Sequence, residues 1–171
     1  MQSERLPHTV HPAKLAQRRI AVGGNIPLDK LERLCEQLTR SDGLVELELE
    51  FGKDDQGFTT IIGSVSTRVG LICQRCMDEM IFDLRAEIAL ALVADEDAAS
   101  QLPDRYDPIL VEKPGIVPLR SLVEDDLILA LPIVAYHDSA CGYVDDTKQV
   151  EDSDDESSVE NPFSVLEVLK H

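Results

Sequence analysis

Between residues 44 and 93 apolar side chains recur at every second position in three successive runs, and this period of two constrains the fold more than any other feature. In "LVELELEF" (44–51) Val45, Leu47, Leu49 and Phe51 fall on one face and Glu46, Glu48 and Glu50 on the other. That is the pattern of a strand with one side on a core and one in water. "DDQG" (54–57) makes a turn, after which Ile61, Val65, Val69, Leu71 and Cys73 share one face of a longer second strand. In "MIFDLRAEIALALV" (80–93) Met80, Phe82, Leu84, Ala86, Ile88, Leu90 and Leu92 alternate against Asp83, Arg85 and Glu87. Short connections between the runs predict an antiparallel meander, with Gly63 and Gly70 admitting bulges or curvature.

The period changes on either side. From Pro27 to about Arg40, Leu28, Leu31, Leu34, Cys35 and Leu38 recur at helical spacing, with Ser41-Asp42-Gly43 ending the run. Cys35 lies in that stripe and reads as a small buried hydrophobe. After a polar loop (95–108), "ILVE" (109–112) predicts a short strand. A helix then opens at Pro118 and stops at Pro132, with Leu119, Leu122, Val123, Leu127, Ala130 and Leu131 as its apolar arc. Asp126 falls within that arc. A carboxylate there needs an Arg partner or backbone donors to stay charged, or else it is a shifted catalytic group, though no His or nucleophile neighbours it in sequence.

The fold class is therefore α+β: an antiparallel β-meander or partly open barrel with two or three packed helices and an acidic C-terminal tail. At 171 residues and 43% hydrophobic the chain suits one globular unit, which we place at 1–137. Residues 138–160 carry nine acidic side chains against Lys148 alone and predict a solvated, flexible segment. In "NPFSVLEVLKH" (161–171), Asn161 suits a cap and Pro162 a first helical position, while Phe163, Leu166 and Leu169 share a side. This short docking helix has two readings: return to the chain's own core, or presentation to a partner's groove.

"CQRC" (73–76) stands at the end of the second strand, so its two thiols meet at a hairpin tip. The spacing serves zinc, thioredoxin-type redox chemistry or plain reduced thiols. A redox pair is normally placed at a helix N-terminus, and here a strand follows. A zinc knuckle suits a hairpin tip but needs two more ligands, for which His137 and Cys141 are the natural candidates. Bound zinc at Cys73, Cys76, His137 and Cys141 and reduced structural thiols both stay open. The sequence shows no P-loop, G-x-G-x-x-G, G-x-S-x-G or H-E-x-x-H motif.

Net charge is −17, with 16 Lys plus Arg against 33 Asp plus Glu. Such a molecule attracts cationic partners and is poorly equipped to grip phosphates. Positive charge is concentrated near the front, where Arg5, Lys14, Arg18 and Arg19 offer the one candidate RNA contact. The first residues lack the apolar core of a secretory signal, and the longest apolar stretch (127–136) is half of the about 20 residues a membrane span needs. A cytoplasmic location without membrane contact is expected.

"CQRC", "YDPI" (106–109), "VEDDLILALP" (123–132), "HDSAC" (137–141) and the terminal "NPFSVLEVLK" (161–170) occur in the order seen in the bacterial YceD family, also called DUF177 or large ribosomal RNA subunit accumulation proteins, which this chain resembles over nearly its whole length. The resemblance implies a role in synthesis, processing or stability of 23S ribosomal RNA, without an established catalytic activity. Combined with the charge, it suggests a non-catalytic acidic adaptor for a basic ribosomal protein or assembly factor on the pre-ribosomal particle. Asn161, Pro162, Phe163, Leu166 and Leu169 would form part of the contact. A direct RNA binder using the basic N-terminal segment is the alternative, and a metal-dependent nuclease a more remote one.

Overall fold

The computed structural model describes residues 6–111 and 115–141. Its centre is the meander predicted from the period-two runs: β3 (Leu44–Lys53), β4 (Thr59–Ile72) and β5 (Glu79–Val93), each antiparallel to the next. The alternation sorts as expected, with Val45, Leu47, Leu49 and Phe51 buried and the intervening glutamates exposed. Strand β2 (Ala21–Pro27) pairs antiparallel with β3, and β6 (Asp107–Leu110) pairs parallel with β5, giving a five-stranded sheet in the order β2-β3-β4-β5-β6. The sheet is open rather than barrel-like, since β2 and β6 form its two edges. A parallel neighbour requires a crossover of about a dozen residues. The 94–106 segment supplies it and contains the short helix α3 (Glu96–Ala99), capped by Asp95 accepting from the Ala98 N–H at 2.8 Å.

Two glycines matter to this sheet. A Cβ on Gly63 would overlap the Glu48 carbonyl oxygen and sit 2.9 Å from Leu49 Cα, so β3 crosses here closer than any side chain allows. Gly70 makes room for the Thr39-Arg40 segment, whose Thr39 N–H donates to the Gly70 carbonyl at 2.9 Å.

One face of the sheet is covered. Helix α1 (Pro12–Gln17) lies against β3 and β4, and α4 (Leu119–Leu129) against β5 and α2 (Glu32–Cys35). A two-stranded ribbon of β1 (Thr9–Val10) and β7 (Val117–Pro118) leads into α4, whose first N–H, at Leu119, donates to His8 at 3.1 Å. Leu28, Leu31, Leu34, Leu119 and Leu127 are wholly buried. Each such leucine contributes roughly 2 kcal/mol. No helix among the described residues is long and apolar enough to cross a membrane.

The single helix expected from Pro27 to Arg40 is not formed. A 3-10 turn (Leu28–Lys30) precedes α2, and Leu31 between them leaves the helical region at φ −105°, ψ 78°. The physical reason is in the spacing itself. Leu28, Leu31 and Leu34 are three apart, the repeat of a 3-10 turn, and all three still reach the core. The strand expected at 109–112 sits at 107–110, and the helix expected from 118 to 132 begins and ends within that span. Elements β1, α1 and β2, all before residue 28, had no counterpart in the sequence reading.

Candidate functional site

Strands β4 and β5 end in a tight tip that sequence spacing placed correctly. The Cys73 N–H donates to the Asp78 carbonyl and the Met77 N–H to the Cys73 carbonyl, both at 2.9 Å. Met77 takes a left-handed conformation, φ 64°, to close the turn between Cys76 and β5. After α4 the chain stops at Pro132 and doubles back to the tip: the Gln74 N–H donates to the Ala135 carbonyl at 2.8 Å, and the Arg75 guanidinium lies over the Tyr136 ring, 5.3 Å from its centroid.

That return brings together all four residues proposed as ligands. One donor atom from each of Cys73, Cys76, His137 and Cys141 lies within 4.8 Å of every other. Cys73 Sγ is 3.5 Å from Cys141 Sγ, Cys76 Sγ is 3.5 Å from His137 Nδ1, and His137 Nδ1 is 3.3 Å from Cys141 Sγ. Cys73 is wholly buried. Burial pushes its thiol up, but the N–H groups of Cys76, Arg75 and His137 outweigh it and bring the group down to about 5. Cys76 moves the other way, to about 11: the Asp78 N–H favours its thiolate, but burial together with the neighbouring thiols of Cys73 and Cys141 prevails. The fourth cysteine stays apart. Cys35 is half-buried in α2 and donates to the Leu28 carbonyl at 3.1 Å, and its thiol is pushed up by desolvation, as befits a packing residue.

A second cluster surrounds Asp126. A cleft of about 400 Å³ between β6 and α4 is lined by Leu90, Ile109, Leu122, Asp107, Asp125 and Asp126. Burial, then the charges of Asp107 and Asp125, raise Asp126 to about 6. The Arg partner or backbone donors expected for it are missing among the described residues. They go instead to Glu124, two residues earlier, where Oε2 accepts from Arg33 Nε at 3.1 Å and Nη2 at 3.0 Å, and Oε1 from the Leu34 N–H at 3.1 Å. Nothing local in the sequence signals this, because the partners come from α2.

The sheet face that the described residues leave exposed is acidic. Register sets Glu46, Glu48 and Glu50 of β3 opposite Ser66, Ser64 and Ile62 of β4, with Glu87 of β5 beyond Ser64. Arg68 pairs with Asp83 at 2.8 Å and Arg85 with Glu87 at 3.1 Å, yet no cation among the described residues pairs with the three β3 glutamates. Lys14, Arg18 and Arg19 are exposed on and just after α1. Arg5 and the segment carrying Asn161, Pro162, Phe163, Leu166 and Leu169 lie outside the described residues, as does most of the acidic 138–160 stretch.

No solved structure matches this chain significantly. A protein of Haemophilus influenzae named large ribosomal RNA subunit accumulation protein YceD is 38% identical over 172 aligned positions, which cover 99% of both chains. The family model described as "Large ribosomal RNA subunit accumulation protein YceD" matches residues 61–170, a span that takes in the hairpin tip, α4 and the returning arm. On these two matches, the chain belongs to the YceD family of large ribosomal RNA subunit accumulation proteins.

Proposed function

We propose that the protein supports accumulation of 23S ribosomal RNA without catalysing a reaction, as an acidic adaptor for a basic ribosomal protein or large-subunit assembly factor. The name borne by its family and its relative supplies the process. The mechanism rests on one observation: three glutamates, Glu46, Glu48 and Glu50, stand on the exposed face of a sheet with no pairing cation among the described residues. Such a row repels phosphate and attracts Lys- and Arg-rich protein segments. The acidic 145–160 stretch and the "NPF" segment extend the same charge and add an apolar anchor. A non-catalytic role is supported by the chemistry of the clusters. The hairpin tip gathers four protein donors, whereas a catalytic metal centre keeps an open position, and the Asp126 cleft is lined by no His or thiol among the described residues.

Affinity purification of the full chain at moderate ionic strength, with protein and RNA identified in the eluate, tests this reading. A basic large-subunit protein or a precursor particle is the expected capture, lost on deleting residues 145–171. Firm retention of protein-free 23S RNA at physiological salt would overturn it. One observation favours direct RNA contact as a second reading: Lys14, Arg18 and Arg19 are exposed and unpaired among the described residues. Under that reading, changing Arg18 and Arg19 to Gln lowers the salt slope of RNA binding by about 1 to 2.

A further inference from the structure

We propose that Cys73, Cys76, His137 and Cys141 hold one zinc ion at a closed, structural site that fastens the chain following α4 to the β4–β5 hairpin tip. Zinc bonds of about 2.3 Å to sulfur and about 2.0 Å to nitrogen, at tetrahedral angles, set neighbouring donors about 3.8 Å apart for two sulfurs and about 3.5 Å for sulfur and nitrogen. The observed 3.5 Å between the Cys73 and Cys141 sulfurs, and 3.5 and 3.3 Å from His137 Nδ1 to the sulfurs of Cys76 and Cys141, match the edges of such a tetrahedron to within about 0.3 Å. All four donor atoms lie mutually within 4.8 Å, close enough for one ion to reach each of them after a small adjustment. Three sulfurs and one imidazole form a soft set suited to zinc, and with all four places taken by protein none is left for water or substrate. The N–H groups of Cys76, Arg75 and His137 directed at Cys73 provide the outer support that orients a metal-bound thiolate.

The arm itself shows why a cross-link is needed there. Ile133, Val134 and Tyr136 are exposed, Ile133 completely, so apolar burial holds the arm chiefly through Ala135. Among the described residues one backbone–backbone hydrogen bond, from Gln74 to Ala135, joins it to the tip, beside the exposed Arg75 contacts with Tyr136 and the Cys141 carbonyl. A single such bond is worth only about 1 kcal/mol. The ion therefore fixes the position of Cys141, the residue after which the sequence turns acidic. Meanwhile the sheet keeps its own apolar core, so metal loss releases the arm and spares the meander. The assignment stands or falls independently of the adaptor reading.

Metal analysis of the full chain, purified without added metal or chelator, is expected to show about one zinc per molecule, falling at least about tenfold in Cys76→Ser and Cys141→Ser and unchanged in Cys35→Ser. Because the variants could misfold, the unaltered chain is also stripped and titrated with cobalt(II), with the visible bands of tetrahedral thiolate coordination expected at one equivalent. Hydrogen exchange adds the structural readout: stripping accelerates the amides of Gln74 and residues 133–141 about tenfold or more and leaves β3 to β5 unchanged. Folded protein free of zinc, with no cobalt thiolate bands, overturns the proposal. So does a site that retains iron instead, or an arm whose exchange ignores the metal.

Discussion

The carboxylate of Glu124, in α4, caps the backbone N–H of Leu34 in α2, 3.1 Å away, while the same side chain is held by Arg33. Leu31, at the N-cap of α2, offers no side-chain acceptor, so a distant residue performs the capping. Glu124 is 7% exposed. Changing Glu124 to Ala leaves the Leu34 N–H without a partner and is expected to cost about 2 to 3 kcal/mol in urea unfolding. Arg33 is half exposed, and Arg33→Ala is expected to cost distinctly less. Equal losses in the two variants would show that the ion pair, and not the cap, carries the contact.

Asp126 makes stability depend on pH in an unusual direction for a carboxylate. Its pKa rises from an ordinary 3.8 to about 6, so between these values the folded state binds more protons than the unfolded one. Stability contributed by this group is present below about pH 4 and is lost as pH rises through 6. Asp126→Asn is expected to stabilise the protein at pH 7 by about 1 kcal/mol, allowing for solvent screening at this half-buried site, with the gain vanishing near pH 4. Urea midpoints at the two pH values check it, and a variant no more stable at pH 7 refutes the origin of the shift.

Gly63→Ala forces a methyl group into the backbone of β3 at Glu48 and Leu49. All three atoms in its path, the Glu48 carbonyl carbon and oxygen and Leu49 Cα, are backbone, so the strands must separate. A loss of about 3 kcal/mol is expected, with amide exchange accelerated along the β3–β4 ladder. Gly57→Ala serves as the comparison, since a Cβ there meets nothing within 4 Å, although its φ of 89° carries some backbone strain.

Replacing Glu46, Glu48 and Glu50 together by Gln removes three like charges spaced two residues apart on one face. Folding is expected to change by less than about 1 kcal/mol, toward greater stability, because exposed repulsion is relieved. Capture of the basic partner, in contrast, is expected to weaken and to become less sensitive to salt. Thermal melting and affinity purification of one triple variant separate the two effects. Undiminished capture would remove the sheet face from the contact.

The meander was legible because strand faces follow from local alternation. Val45, Leu47, Leu49 and Phe51 point inward wherever the strand lies, since the alternative exposes four large apolar groups. The break at Leu31 was harder to read, because residues spaced by three, three and four fit a helix and a 3-10 turn alike, and only packing chooses between them. The sequence spacing of the cysteines suggested the four-donor set. Its convergence depends on the chain after α4 folding back to Gln74, which no local pattern encodes.

The sequence by itself determined the class of sheet, the side of each central strand that meets the core, the apolar arc of α4 and the excess of negative charge, because each depends on neighbours within a few residues. Tertiary structure alone decided that Glu124 rather than Asp126 receives Arg33, that β6 joins the sheet in parallel, and that His137 and Cys141 reach the hairpin tip. These pairings join residues far apart along the chain, and their partners are settled by which surfaces the core leaves adjacent.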